Sequence, residues 1–263
     1  MSTPSIQVEQ APSVQYLLRL GDTALILGQR LGEWCGHAPV LEEDIALANI
    51  ALDLIGQARA VLTRVGQLGG QGLHEDQLAF LREERDYRNA TIVELPNGPR
   101  RPGDFAFTVL RNAMMATWFR LMWERLRESS DSELAAIAGK AVKEARYHQQ
   151  HSADWVVRLG DGTDESARRM RAALDTLWRY SAELFESDDV DSWAAANGLG
   201  PRWDSLREPW LAEMREMLDE AKLPMPADSV FRSTGKTGVH TEHMGYILSD
   251  LQYLQRAYPG GVW

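Results

Sequence analysis

Apolar residues recur along most of this chain at alternating spacings of three and four, the period of a helix with one buried face, and alternating β-branched runs are scarce. Residues 14–34 place Leu17, Leu20, Ala24, Leu27, Leu31 and Trp34 on one stripe, closed by Gly36-His37-Ala38-Pro39. Residues 41–65 carry Leu41, Ile45, Ala48, Leu52, Ile55 and Leu62 on one stripe, with Ala46, Ile50, Leu54 and Val61 on another face. That helix is expected to be apolar on most sides and central, with Leu52 in the core. A glycine-rich loop at 66–72 leads to a shorter, charged helix at 75–90 and a turn at Pro96-Asn97-Gly98-Pro99. Long helices follow at 105–128 and 132–159, the latter capped by Asp131 or Ser132, and three more are predicted near 165–186, 204–223 and 241–258. The fold class is all-α, a four-helix bundle with additional C-terminal helices. No linker divides 1–263 into two domains, no repeat of solenoid period occurs, and 1–13 reads as a flexible N-terminal extension.

The 263 residues include 28 Lys and Arg against 38 Asp and Glu, and the formal charge of −10 argues against general affinity for nucleic acid or anionic membrane. Cys35 is the single cysteine, so no internal disulfide forms, and residues 1–13 lack the basic and apolar regions of a signal peptide. Every long apolar stretch is expected to be broken by polar residues before it reaches bilayer length. A soluble, cytoplasmic protein is the expectation.

Two of the helices carry a carboxylate where a ferritin-like di-iron protein has Glu-x-x-His: Asp53-Leu54-Ile55-Gly56 and Glu144-Ala145-Arg146-Tyr147. Such a site takes a lone carboxylate from each of two helices and a Glu-x-x-His from each of the other two, because i and i+3 share a face. Here Gly56 and Tyr147 stand in place of both histidines, and 105–123 contains no Asp or Glu. Glu124 lies near the far end of that helix, and Asp22 and Glu33 on the first helix cannot make up the deficit. The pattern predicts a degenerate, metal-free polar core, with no catalytic residue and no cofactor or metal ligand in this chain. Asp53 and Glu144 are then expected as buried polar pairs neutralised by Arg111, Arg120 or Arg146, since an unpaired buried charge is costly.

Glu144, His148 and His151 fall along one side of their helix and could form a metal cluster, making the chain a metal-binding ferritin-like oxidase or hydrolase acting by itself. Against this, His148 borders the apolar stripe of Leu134, Ala138, Ala141, Ala145 and Trp155, which favours a histidine hydrogen-bonded within the bundle. His240 and His243, with Glu242 on the other side, suit capping, pairing or partner contact. Gly235-Lys236-Thr237 matches the end of a phosphate-binding loop, but Val230 occupies the place of its first glycine and no strand precedes it. Cys35, near His37, reads as structural. Trp118, Trp123, Trp155 and Trp178 recur at helical spacing as core or interface anchors.

Several longer segments carry a resemblance. Arg19-Leu-Gly-Asp22, Arg30-Leu-Gly-Glu-Trp-Cys-Gly-His-Ala-Pro39 and Asp44-Ile-Ala-Leu-Ala-Asn49 through Asp53 to Arg59 are followed by Asp76-Gln-Leu-Ala-Phe80 and Glu94-Leu-Pro-Asn-Gly98. Lys143-Glu-Ala-Arg-Tyr-His148, Leu177-Trp-Arg-Tyr-Ser-Ala-Glu-Leu-Phe185, Gly238-Val-His-Thr-Glu-His-Met-Gly245 and Leu251-Gln-Tyr-Leu-Gln-Arg256 complete the set. Together they resemble the family of phenylacetyl-CoA epoxidase C subunits over nearly the whole chain, apart from its start and the stretch 187–209. The resemblance implies a ferritin-like, non-catalytic structural subunit of a bacterial multicomponent monooxygenase in aerobic phenylacetate breakdown. It implies a homologous catalytic A subunit holding the di-iron site, a bridging B subunit, and a flavin/iron–sulfur reductase passing electrons from NADPH. Self-association of the isolated chain as a homodimer is a further expectation.

Overall fold

In a computed structural model of the chain, which describes residues 6–99 and 103–261, the described residues form nine α-helices and no strand. They are α1 (Pro12–Gly32), α2 (Leu41–Gly69), α3 (Glu75–Phe80), α4 (Phe105–Leu126), α5 (Ser132–Gly160), α6 (Asp164–Leu177), α7 (Asp189–Ala196), α8 (Arg207–Glu220) and α9 (Glu242–Ala257). Proline at the start of α1 pre-sets the helical φ and lacks only an N–H that would have had no partner. Gly70 ends α2 in the left-handed conformation, φ 63°, which costs a residue without Cβ little. Asp104 caps α4, and Asp131 caps α5 by accepting from the amides of Glu133 and Leu134, so the cap is Asp131 rather than Ser132.

Helix α1 packs along α2 and α4 along α5, and the two pairs meet partly through α2 and α5. All but four of the 21 residues of α1 and all but five of the 22 of α4 are buried, because α7 covers α1 while α6 and α8 cover α4. The inner helices are therefore α1 and α4. Helix α2, expected to be central, buries 11 of its 29 residues. Leu47, Ile50, Leu54, Ala58, Val61 and Leu62 face the core, whereas Leu41, Ile45 and Leu52 are 72%, 55% and 65% exposed. Periodicity identifies an inward face only when the opposite face is polar, and α2 is aliphatic on both. For the same reason α2 has the length and apolar composition to cross a bilayer, contrary to the expectation that every apolar stretch is interrupted too early; 44% of that stretch is buried inside the protein.

Three predicted helices are interrupted. The segment 75–90 is helical only over α3 and a 3-10 turn at Glu84–Asp86, because Arg82 turns inward to a buried partner on α1. The predicted helix 165–186 changes to 3-10 over Trp178–Phe185, where Glu183 is fully buried, and the predicted helix at 204–223 is preceded by the 3-10 turn Trp203–Leu206. Helix α7 was not anticipated, although Asp188 and Asp191 form the capping box that announces it. Of the expected N-terminal extension, 1–5 lies outside the described residues, 12–13 belongs to α1, and Ile6, Val8 and Ala11 pack against the core. Trp118 and Trp123 are fully buried, Trp118 against Trp203 at 4.7 Å, Trp178 packs on Trp210 at 5.3 Å, and half-buried Trp155 meets Phe105 at 5.1 Å.

Candidate functional site

Helices α2 and α5 run antiparallel, and a ladder of polar pairs joins them. Glu43 meets His151 at 3.0 Å, Asp53 meets His148 at 3.0 Å, Gln57 donates to Glu144 at 3.0 Å, and Arg64 pairs with Asp131 at 2.8 Å. From α4, the Trp123 indole donates to the Gln57 Oε1 at 3.2 Å, so one hydrogen-bonded line crosses three helices from Trp123 through Gln57 to Glu144. His148 is the bundle histidine the sequence suggested. Burial pulls its pKa down, partly offset by the Asp53 carboxylate.

The arginines proposed as counter-charges go elsewhere. Arg111 donates to the Leu95 carbonyl and to Asn97, Arg120 pairs with Glu124 and Glu213, and Arg146 pairs with Glu124. Asp53 is not a fully buried charge either, since its side chain is 40% exposed and its partner is His148. Glu144 is neutralised from solvent by Lys140 at 3.5 Å. The positions that follow Asp53 and Glu144 on the inward side are Gln57 and His148, four residues on, whereas Gly56 and Tyr147 face outward and Tyr147 is exposed. Imidazoles at 56 and 147 would point away from the bundle interior.

Helix α4 offers Met114, Met115, Trp118, Phe119 and Met122 as buried side chains, Asp22 is held by Arg82, and Glu33 pairs with Arg30 and accepts from Asn97. Glu144, His148 and His151 each turn to a different partner, and among the described residues no three His, Cys, Asp or Glu side chains are grouped to hold a metal ion. The residues present do not fit a di-iron centre.

A second polar system, less visible in the sequence, ties the C-terminal segment to the bundle. The Glu94 carboxylate is fully buried and accepts from Asn89 at 3.0 Å, from His240 Nδ1 at 2.6 Å and from the amide and hydroxyl of Thr241 at 2.8 and 2.9 Å. His240 Nε2 lies 3.1 Å from the Tyr87 carbonyl, so both ring nitrogens face acceptors and the imidazolium is favoured. Burial pulls the His240 pKa down, but the Glu94 hydrogen bond and charge outweigh it and the net shift is upward. Glu183 likewise accepts from the Thr91 amide, the Ser233 hydroxyl and the Lys236 amide at 2.9, 2.6 and 2.9 Å. The Gly235-Lys236-Thr237 turn is thus a buried tether, with the Lys236 ammonium directed at the Glu186 carbonyl and 3.6 Å from Asp191. His243 lies near the start of α9 beside His37 and Asn97 in an open cleft, and the His37 Nδ1 is 3.0 Å from the carbonyl oxygen of exposed Cys35.

The family model described as phenylacetic acid catabolic protein matches residues 1–263. The chain belongs to the phenylacetic acid catabolic protein family. Among curated proteins it is similar to the C subunit of 1,2-phenylacetyl-CoA epoxidase from Escherichia coli (strain K12), with 49% identity over 248 residues that cover 94% of this chain and 98% of the relative. In this member of the phenylacetic acid catabolic family, the segments that carried the resemblance supply much of the buried polar framework: Arg19 and Asp22 from the first, Arg30 and Glu33 from the second, Glu94 and Asn97 from the turn, and His240 with Thr241 before α9. Glu94, Glu183, Arg82 and His240 were not singled out as a network because their partners lie far away in the chain. The available signal was a charged residue amid apolar ones, as at Glu183 between Ala182 and Leu184.

Proposed function

We propose that the chain is the non-catalytic structural subunit of a phenylacetyl-CoA epoxidase, pairing with and stabilising a homologous di-iron A subunit. In this reading such pairs are bridged by a B subunit, and a flavin/iron–sulfur reductase delivers electrons from NADPH to the di-iron chain. The observation that carries it is the Trp123–Gln57–Glu144 line, which fills the space between α2, α4 and α5 with an amide and an indole where a metal site needs converging carboxylates and imidazoles. Support for the pathway comes from family membership, and for the subunit from the relative's name. What remains for this chain to contribute is surface: four long helices held rigidly by buried ion pairs.

Co-purification with the catalytic subunit, followed by iron determination on each separated chain, tests the proposal. The expected result is a stable complex whose iron stays with the catalytic partner. Two irons per copy of this chain, lost on replacing Asp53 or Glu144, would favour an independent metalloenzyme instead.

A further inference from the structure

The cleft between the end of α1, the 96–99 turn and the first half of α9 has a floor with more positive charge than the chain neutralises. Arg30 and Asn97 form that floor, both buried, and fully buried Arg111 stands behind them, donating to Asn97 Oδ1 and the Leu95 carbonyl. Arg30 directs two of its nitrogens at the Glu94 carbonyl, whereas the Glu94 carboxylate is engaged by Asn89, His240 and Thr241. Arg111 has neutral oxygens as acceptors, and its buried Nε has none. Burial and the Arg30 charge pull its pKa down to about 9, with Glu33 opposing them. Two guanidiniums thus share one carboxylate, that of Glu33.

Glu33 is a loosely held partner. Its carboxylate accepts from Arg30 Nη1 at 2.5 Å and from Asn97 Nδ2 at 2.9 Å, the two-donor grip that a free carboxylate would receive. Yet its side chain is 44% exposed, and it caps the C-terminal end of α1, whose last carbonyls repel an anion. Swinging that side chain into water frees both donors towards the cleft. The cleft encloses about 800 Å³, within the range of small-molecule sites. Pro96, Pro99 and Ile247 give it apolar walls, while His37, His243 and Tyr246 supply further donors. Asp250 on the α9 wall is the other negative charge that lines it. One surplus positive charge on the floor, with an acid on a facing wall, favours a monoanion over a phosphate dianion.

We propose that this cleft binds the carboxylate group of a small organic acid, gripped by Arg30 and Asn97 in the place that the Glu33 carboxylate occupies in the free chain, with the apolar body of the ligand against Ile247 and the two prolines. Glu33 is then a built-in competitor. The site is independent of the proposed assembly role and is tested on the isolated chain.

Binding of hexanoate to the full chain is followed by calorimetry and by the imidazole NMR signals of His37 and His243, assigned through His37→Gln and His243→Gln, with circular dichroism to check folding. A competitor that fills the site about nine-tenths of the time weakens apparent binding about tenfold, so Glu33→Ala should bind hexanoate about tenfold or more tighter than wild type. Glu33→Gln, which keeps the length of the side chain and serves if alanine loosens the fold, should tighten binding by about threefold or more. In both variants hexyl phosphate should bind more weakly than hexanoate. Saturation should shift the His37 and His243 signals and leave those of His74, His148 and His151 in place. No saturable binding to either variant at about 20 mM, equal affinity in wild type and both variants, saturation that leaves both imidazoles unmoved, or preference for hexyl phosphate would each overturn the proposal.

Discussion

Asp22 of α1 and Arg82, in the loop after α3, form a fully buried bidentate ion pair, with Oδ1 2.5 Å from Nη2 and Oδ2 2.9 Å from Nη1. The Arg88 amide also donates to Asp22, at 2.8 Å, and the Arg82 carbonyl accepts from Gln252 of α9 at 3.0 Å. One carboxylate therefore joins the first helix, the irregular segment after α3 and, through Arg82, the last helix. Its removal leaves a buried guanidinium without a counter-ion, and breaking such a pair costs about 3–5 kcal/mol. Asp22→Ala is expected to lose that much in urea unfolding, while Asp22→Leu combined with Arg82→Met recovers most of it. A loss under about 1 kcal/mol for Asp22→Ala would show that the pair is not a structural tie.

Neighbouring leucines on α2 separate its two faces. Leu54 is 2% exposed and Leu52 is on the outward face. Leu54→Ala should cost about 2–5 kcal/mol through loss of burial and the cavity left behind. Leu52→Ala in the monomeric chain should stay within about 0.5 kcal/mol. Asp53→Ala, breaking a half-exposed contact, should lose no more than about 1 kcal/mol, less than a buried-network role would predict. Equal losses at 52 and 54 would contradict the assigned orientation of α2.

Two histidines should give opposite pH dependences. The folded-state pKa of His240 is raised, so its contribution is fully present below the unfolded value, about 6.5, and is lost as pH rises through the folded one. His148 is shifted down, so its contribution is present above about 6.5 and is lost as pH falls. Urea unfolding across this range should show the destabilisation by His240→Gln shrinking as pH rises, and that by His148→Gln shrinking as pH falls. Parallel, pH-independent offsets would show that neither ring changes its protonation on folding.

A Cβ built on Gly235 lies 2.5 Å from the Asn89 carbonyl oxygen and 2.8 Å from the Thr91 hydroxyl, whose oxygen accepts from the Gly235 amide at 3.0 Å. Gly235→Ala should therefore lower stability by about 1–3 kcal/mol through overpacking, and ATP should not protect the wild-type chain against heat. Protection by ATP that the substitution removes would revive a phosphate-loop role.

Local and medium-range features were legible in the sequence. The four long helices, the Asp131 cap and a hydrogen-bonded His148 follow from period, capping chemistry and position. The facing of α2 was not legible, because both sides are aliphatic and the choice is made by which side α1 and α5 cover. Nor were the endpoints of the polar network: Glu94 and His240 are separated by 146 residues, and no local pattern records that they meet. The sequence also placed Gly56 and Tyr147 inside the bundle by the i, i+3 rule, whereas the helices present Gln57 and His148, at i+4, to the interior.

The structural role is tested most directly by NADPH-dependent epoxidation of phenylacetyl-CoA with the catalytic and bridging subunits and the reductase, measured without this chain, with the wild-type chain, and with Asp53→Asn/Glu144→Gln. Turnover should collapse when the chain is left out, and the double variant should restore it as fully as wild type. Full turnover without the chain, or a double variant that joins the complex but leaves it inactive, would contradict a purely structural role.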